Sequence, residues 1–170
     1  DLGTKLYALD SAIRAIDQQL IRTGENGKAA SNLPFQTIYR ITYELKEEFK
    51  VSLILHGTEN LEELEACIRN LEENTDYKNL ELLYFAEKDL EISLRDGISL
   101  HRISLDKEKS KAWNWNQAVK EAQGEILLLF DTRCRPIEKN WIKEMLMFSQ
   151  REDVCAVGPK TVSYTHLRAH

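Results

Sequence analysis

Apolar positions recur at two periods along this chain, and the switch between them marks its elements. Leu2, Leu6, Leu9, Ile13, Ile16 and Leu20 are spaced alternately by four and three residues, one stripe on an amphipathic helix that Gly24 stops. The stripe is short for a coiled-coil seam, so it is expected to pack on the domain or on a part upstream. Glu25 to Gln36, with Gly27 and Pro34, reads as a polar linker, and Thr37 to Leu45, rich in β-branched and aromatic residues, as an edge strand. Lys50 to His56 is predicted to be a core strand. Asn60 then caps a helix, with Glu63 closing a capping box, and that helix buries Leu61, Leu64, Ile68 and Leu71. Leu80 to Ala86 and Ile98 to Leu105 are further strands, and the turn signal Asp96-Gly97 suggests a small hairpin with Glu91 to Arg95. Lys109 to Gln123 is helical, Glu125 to Asp131 a strand, Asn140 to Gln150 a helix, and Val154 to Val157 closes the order before Gly158-Pro159.

Strands separated by helices of this length predict βαβ units and a right-handed, mostly parallel sheet. The strand before Asp131 carries the most information. Ile126-Leu127-Leu128-Leu129-Phe130 is apolar at every position, the pattern of a central strand covered on both faces. In such sheets ligands bind at the carboxyl ends of the strands, where Asp131 stands. An Asp there can face a polar ligand or metal, or simply cap the next turn.

The chain has 170 residues, 42% hydrophobic and 30% charged, which suits one core. Its net charge of -5 argues against a general nucleic-acid binder. Cys67, Cys134 and Cys155 lie far apart with no C-x-x-C pair, so incidental thiols in a reducing compartment are expected rather than zinc or disulfides. No apolar run reaches bilayer length and no signal peptide is visible, although the chain does not begin with Met and a targeting segment could precede it. The last nine residues, Val162 to His170, resemble translated adapter from transposon-based sequencing libraries. They are expected to be a non-native tail, with native sequence missing beyond about Thr161.

Six segments carry a resemblance in order and in spacing. Val51-Ser52-Leu53-Ile54-Leu55 resembles V-S-I-I-I, and Thr75-Asp76-Tyr77-Lys78-Asn79-Leu80-Glu81-Leu82-Leu83 resembles T-x-Y-x-N-x-E-I-I. Lys111-Ala112 with Asn116 resembles K-A-x-x-x-N, and Ala122-Gln123-Gly124-Glu125 with its strand resembles A-x-G-E-x-L-L-x-L. Trp141 to Leu146 resembles W-L-x-E-M-L, and Val157-Gly158 the later V-G. From about Leu9 to Lys160 the chain resembles the nucleotide-sugar half of family 2 glycosyltransferases, which have the GT-A fold, and most nearly the bacterial type acting on O-antigen, rhamnan or other cell-surface polysaccharides.

The resemblance implies an α/β fold of GT-A type, a mostly parallel sheet flanked by helices and preceded by the amphipathic helix. It divides the chain into that helix (1–24), a linker and edge strand (25–49), a partial nucleotide-sugar-binding domain (50–161) and the tail (162–170). It implies a nucleotide-diphospho-sugar donor and a glycan acceptor, with a second transferase domain expected in the intact protein. The expected location is the cytoplasm, at the inner face of the plasma membrane. It also implies transfer by attack of an acceptor hydroxyl on the anomeric carbon with inversion, the catalytic carboxylate lying after the visible end.

The departures fall at the chemistry. Where the family's first strand ends P-T-x-N or P-T-x-D, this chain has His56-Gly57-Thr58-Glu59. Where V-D-D grips the donor's base or ribose, it has Phe85-Ala86-Glu87, leaving only Glu87. Mg²⁺ or Mn²⁺ is usual in the family, held by Asp-x-Asp or N-N-D. Here Asp131-Thr132-Arg133 places Arg133 at the metal carboxylate, and a guanidinium cannot ligate a hard cation. Two accounts remain open: Arg133 pairs with phosphate directly, with Arg135 assisting, or the donor site has degenerated into an interaction module. The residues carried over for donor binding are His56, Glu59, Glu87, Lys111, Asn116, Asp131 and Arg133. Trp113 and Trp115, two apart on a helix, cannot share a face; one is expected in the core and the other against a sugar or a further domain.

Overall fold

The structure, a computed structural model, describes residues 2–32 and 35–159, with side chains described for 9–31 and 38–159. The expectation for the tail at 162–170 lies outside the described residues. The chain divides into two compact units. One comprises the residues up to Lys46 and those from Glu144 onward; the other is Glu47–Lys143.

The first unit contains α1 (Leu2–Arg22) and two antiparallel strands, β1 (Gly27–Asn32) and β2 (Phe35–Tyr43). Helix α1 follows the predicted stripe: Leu9, Ile13 and Ile16 are partly shielded and Leu20 is buried. Gly24, with φ 74°, supplies the left-handed stop. The segment read as a polar linker is corrected here, because Gly27–Asn32 is a strand. Its small residues carry no alternating pattern, and its partner organises it instead: Gly27 lies against Tyr43, where a Cβ would come within 3.0 Å of the ring. Asp17 of α1 accepts the Ala29 N–H at 2.8 Å, tying β1 to the helix. β2 matches the predicted strand but belongs to this two-stranded ribbon rather than to the edge of a larger sheet.

The second unit is a four-stranded parallel sheet, made of β3 (Val51–His56), β4 (Leu80–Phe85), β5 (Ile98–Ile103) and β6 (Ile126–Asp131) in the order β5-β4-β3-β6. Helices α2 (Leu61–Glu73) and α3 (Lys111–Glu121) connect the strands, and α4 (Trp141–Ser149) begins in this unit and runs into the other. On one face Leu53, Leu55, Leu82, Tyr84 and Phe130 pack with Leu64, Cys67, Ile68 and Leu71 of α2. On the other, Ile54, Leu83, Phe85 and Ile103 pack with Ala118 and Trp115 of α3. A fully buried Leu or Ile contributes about 1.5–3 kcal/mol, so these two layers hold the sheet.

Three expectations are corrected in this unit. Among the described residues β6 is an edge strand, not a central one. Its apolar run is covered on only one face, where Phe130 is buried and Ile126 and Leu128 are half-buried, while Leu127 and Leu129 on the other are 47% and 53% exposed. Glu91 to Arg95 forms no hairpin with the Asp96-Gly97 turn. Leu90, Ile92 and Leu94 instead pack on the α2 side of the core, while Arg95 donates to the carbonyls of Thr75 and Tyr77. The capping box is closed differently: Asn60 Oδ1 accepts from Glu62 and Glu63 N–H, but the Asn60 N–H donates to Thr58 Oγ1 rather than to Glu63. In the first unit, Val154 to Val157 contains no strand.

The amino-terminal edge of the sheet is pinned by polar contacts among residues of the recurring motifs. Ser52 Oγ donates to the buried Glu81 carboxylate at 2.5 Å, and the same oxygen of Glu81 accepts the Gln123 N–H at 2.9 Å. Gly124 N–H donates to Ser52 Oγ at 2.8 Å. Glu125 accepts the Lys50 N–H, Asn79 donates to the Glu48 carbonyl, and Tyr77 Oη to the Phe49 carbonyl. The letters that carried the resemblance at these positions build the scaffold, not a site.

Candidate functional site

Because all four strands are parallel, their carboxyl ends share one edge, and β3, β4, β5 and β6 deliver His56, Glu87, Lys107 and Asp131 to it. Two groupings form there. The first is a cleft of about 680 Å³ lined by Glu59 after β3, Ala86 and Glu87 after β4, Arg102 and the run Ser104 to Lys107 around the end of β5, and Trp113, Gln117 and Glu121 of α3. Lys107 Nζ stands 2.7 Å from Glu87 Oε1 and 3.9 Å from Glu59 Oε2, so one ammonium bridges the loops after β3, β4 and β5. The Lys107 hydrogen bond holds the Glu87 carboxyl below its ordinary pKa, and the Lys107 ammonium is raised reciprocally. Arg102 pairs with Asp89 at 2.7 Å.

The second grouping lies where β3 meets β6. His56 and Asp131 are direct register partners, and His56 packs on Trp115 with ring centroids 4.8 Å apart. Gly57, at φ 114°, lets the chain turn away tightly: a Cβ there would lie 2.9 Å from Thr132 Oγ1 and 3.1 Å from Asp131 Oδ1. Thr132 N–H donates to the His56 carbonyl, and Arg135 donates to the carbonyls of Thr132 and Cys134, fixing the loop.

Asp131 and Arg133 form a bidentate pair within this loop. Arg133 Nε meets Oδ1 at 2.9 Å and a terminal nitrogen meets Oδ2 at 2.6 Å, while the Arg133 backbone N–H also donates to Oδ1. These bonds, opposed by partial burial and aided by His56, hold the Asp131 carboxyl far below the ordinary range. Sequence reasoning placed both residues at this edge but did not pair them with each other. The Asp-x-Arg spacing across a turn was the available signal.

The divalent cation implied by the resemblance does not fit these residues. Both Asp131 oxygens face a guanidinium, and among the described residues no group of three or more His, Cys, Asp or Glu could hold a metal ion. Of the carried-over residues, Glu59 and Glu87 line the cleft and His56, Asp131 and Arg133 gather beside it. Lys111 and Asn116 are exposed on α3 and line neither grouping; the buried Asn of that helix is Asn114, which clamps the 106–110 loop through Asp106. Trp115 goes to the core side and Trp113 to the cleft. The reading missed Arg102, Lys107, Gln117 and Glu121, although Trp113, Gln117 and Glu121 recur every four residues on one helix face.

No family model matches the chain. It is 27% identical over 161 residues to the O-antigen biosynthesis protein RfbC of Myxococcus xanthus, covering 90% of this chain. It is also 26% identical over 165 residues to the uncharacterized protein y4gI of Sinorhizobium fredii (strain NBRC 101917 / NGR234). The chain spans only 12% and 18% of the length of these two relatives. Among solved structures it matches the mannosyltransferase PcManGT from Pyrobaculum calidifontis, in complex with GDP-Man and Mn²⁺. The TM-score is 0.52 at 16% identity, over 64% of this chain and 34% of that one. The fold is glycosyltransferase-like. The similarity concerns the arrangement of strands and helices, and it does not extend a metal site to this chain.

Proposed function

We propose that this chain is the donor-binding part of a glycosyltransferase of family 2 type, with a GT-A fold, serving bacterial cell-surface polysaccharide synthesis at the cytoplasmic face of the plasma membrane. The observation that carries the reading is the cleft at the carboxyl edge of a parallel sheet, where folds of this class bind ligands. The similarity to an O-antigen biosynthesis protein and to a mannosyltransferase that holds GDP-Man supports it. In this reading a nucleotide-diphospho-sugar enters along that edge, with its nucleoside at the cleft and its diphosphate toward His56 and Arg133. A glycan supplies the acceptor hydroxyl, and a second transferase domain accompanies this one in the longer protein.

The Asp131–Arg133 pair supports a second reading, a degenerate module of the same fold that assists assembly beside an active domain. A guanidinium already satisfied by its own carboxylate offers less to a phosphate. Calorimetry with UDP, GDP and dTDP, each with Mn²⁺, with Mg²⁺ and with EDTA, separates the two. Binding of any of these nucleotides supports the donor-binding reading. Absence of binding under every condition favours the degenerate module.

A further inference from the structure

The cleft has a chemical character that narrows what part of a ligand it accepts. Four carboxylates line it (Glu59, Glu87, Asp106 and Glu121) against two bases, Arg102 and Lys107. Both bases are already engaged, Arg102 by Asp89 and the Ala86 carbonyl, Lys107 by Glu87 and Glu59. A diphosphate placed here would meet an excess of negative charge and find no free cation among the lining residues. An uncharged group meets no such penalty. Trp113 is the one aromatic among those residues, and it is 40% exposed, a large apolar surface left open in the cleft. Its position is fixed by the helix. Ser110 caps α3 through the Trp113 N–H at 3.2 Å, Asn114 is locked to the Asp106 backbone, and Trp115 and Ala118 bury the opposite face.

We propose that Trp113 is a further donor-binding residue, its indole stacking on the nucleobase of the donor, beside the ribose contact that the resemblance implies for Glu87. The proposal rests on the donor-binding reading and assigns the cleft to the nucleoside rather than to the diphosphate. A nucleobase presents a π-face to the indole and no charge to the carboxylates; base–aromatic stacking is worth about 1–3 kcal/mol per base, or roughly five- to 150-fold in affinity. A sugar ring can also lie on an indole, so the test includes both ligand parts. Glu87 stays ionised through its contact with Lys107, which keeps it an acceptor.

The test is calorimetry of the full chain and of Trp113→Ala and Trp113→Phe with UDP, GDP, uridine, guanosine, mannose and pyrophosphate, with circular dichroism to confirm folding. The proposal expects the better-bound nucleotide to lose at least fivefold with Trp113→Ala and to recover most of it with Trp113→Phe. The matching nucleoside should lose in parallel, and pyrophosphate should be unaffected. Nucleotide binding that Trp113→Ala leaves unchanged overturns the proposal while sparing the donor-binding reading. Loss of mannose binding with nucleoside binding intact reassigns the indole to the sugar and also overturns it. No nucleotide binding by the unmodified chain overturns both.

Discussion

Gly124→Ala is expected to destabilise the chain sharply although it adds one methyl group. Gly124 does not occupy the left-handed region, so the cost is spatial rather than conformational. A Cβ at this position would lie 2.6 Å from the Lys50 carbonyl oxygen, 2.6 Å from the Ser52 backbone nitrogen and 2.6 Å from Ser52 Oγ. Two of these are backbone atoms, one just before β3 and one at its buried start, so a rotamer change cannot relieve the clash. The chain must move at the junction into β6. Overpacking of this kind costs about 1–3 kcal/mol. The shift also breaks the Gly124-to-Ser52 hydrogen bond and loosens the Ser52–Glu81–Gln123 network, a further loss of roughly 1 kcal/mol. The total of about 2–4 kcal/mol corresponds to a fall in Tm of approximately 4–16 °C for a chain of this size. Urea denaturation followed by circular dichroism measures it. Gly158→Ala is the control, since nothing lies within 4 Å of a Cβ there, and it should change stability by less than about 0.5 kcal/mol. A Gly124→Ala protein as stable as that control would refute the account of the amino-terminal edge.

Other expectations follow from the loop at the end of β6 and from the thiols. If the intact site binds nucleoside diphosphates through Arg133, the affinity should not depend on Mg²⁺ or Mn²⁺ and should weaken as salt rises. Arg133→Ala should then cost up to about ten- to hundredfold, less the energy spent separating Arg133 from Asp131; metal-dependent tight binding refutes this. The folded-state pKa of Asp131 is depressed, so its stabilising contribution is present above the unfolded carboxyl value and is lost as pH falls below it. Carboxyl NMR titration should show Asp131 ionised at pH 3, and Arg133→Ala should move its midpoint up toward the ordinary Asp value; an unmoved midpoint refutes the pairing. Burial pushes the Cys67 thiol up to about 11, whereas Cys134 and Cys155 are exposed. A disulfide reagent at pH 8 should therefore titrate two thiols rapidly in the native chain and the third only on unfolding; three fast thiols would contradict the burial of Cys67.

The second unit was legible in the sequence because its elements bury one face against another, and burial writes a period into the residues. Leu64, Ile68 and Leu71 of α2 and the unbroken apolar runs of β3 and β4 are examples. β1 was not legible. Gly-Lys-Ala-Ala-Ser-Asn has no pattern of its own and is a strand because β2 lies beside it. The edge position of β6 was hidden for a related reason: an apolar residue looks alike in sequence whether or not a helix covers it, so Leu127 and Leu129 suggested a central strand. At the candidate site, the residues themselves were foreseen at Glu59, Glu87, Asp131 and Arg133. What could not be read was their pairing, because Lys107 reaches Glu87 only after β5 has been laid beside β4.

The contrast between the two edges of the parallel sheet has a consequence for how this molecule can change. At the amino-terminal edge the buried side chains of Ser52 and Glu81 hold each other and accept the backbone N–H groups of Gln123 and Gly124, so replacing Ser52 or Glu81 leaves a partner stranded. At the carboxyl edge Glu87, Lys107 and Arg133 project from loops with most of their side chains in water. Rewriting them disturbs no core. Durability and chemistry are thus stored at opposite ends of the same strands, and the second can be lost, regained or exchanged while the first stays fixed. An engineer could install a carboxylate for Arg133, or transplant a loop, on a platform that would hardly register the change.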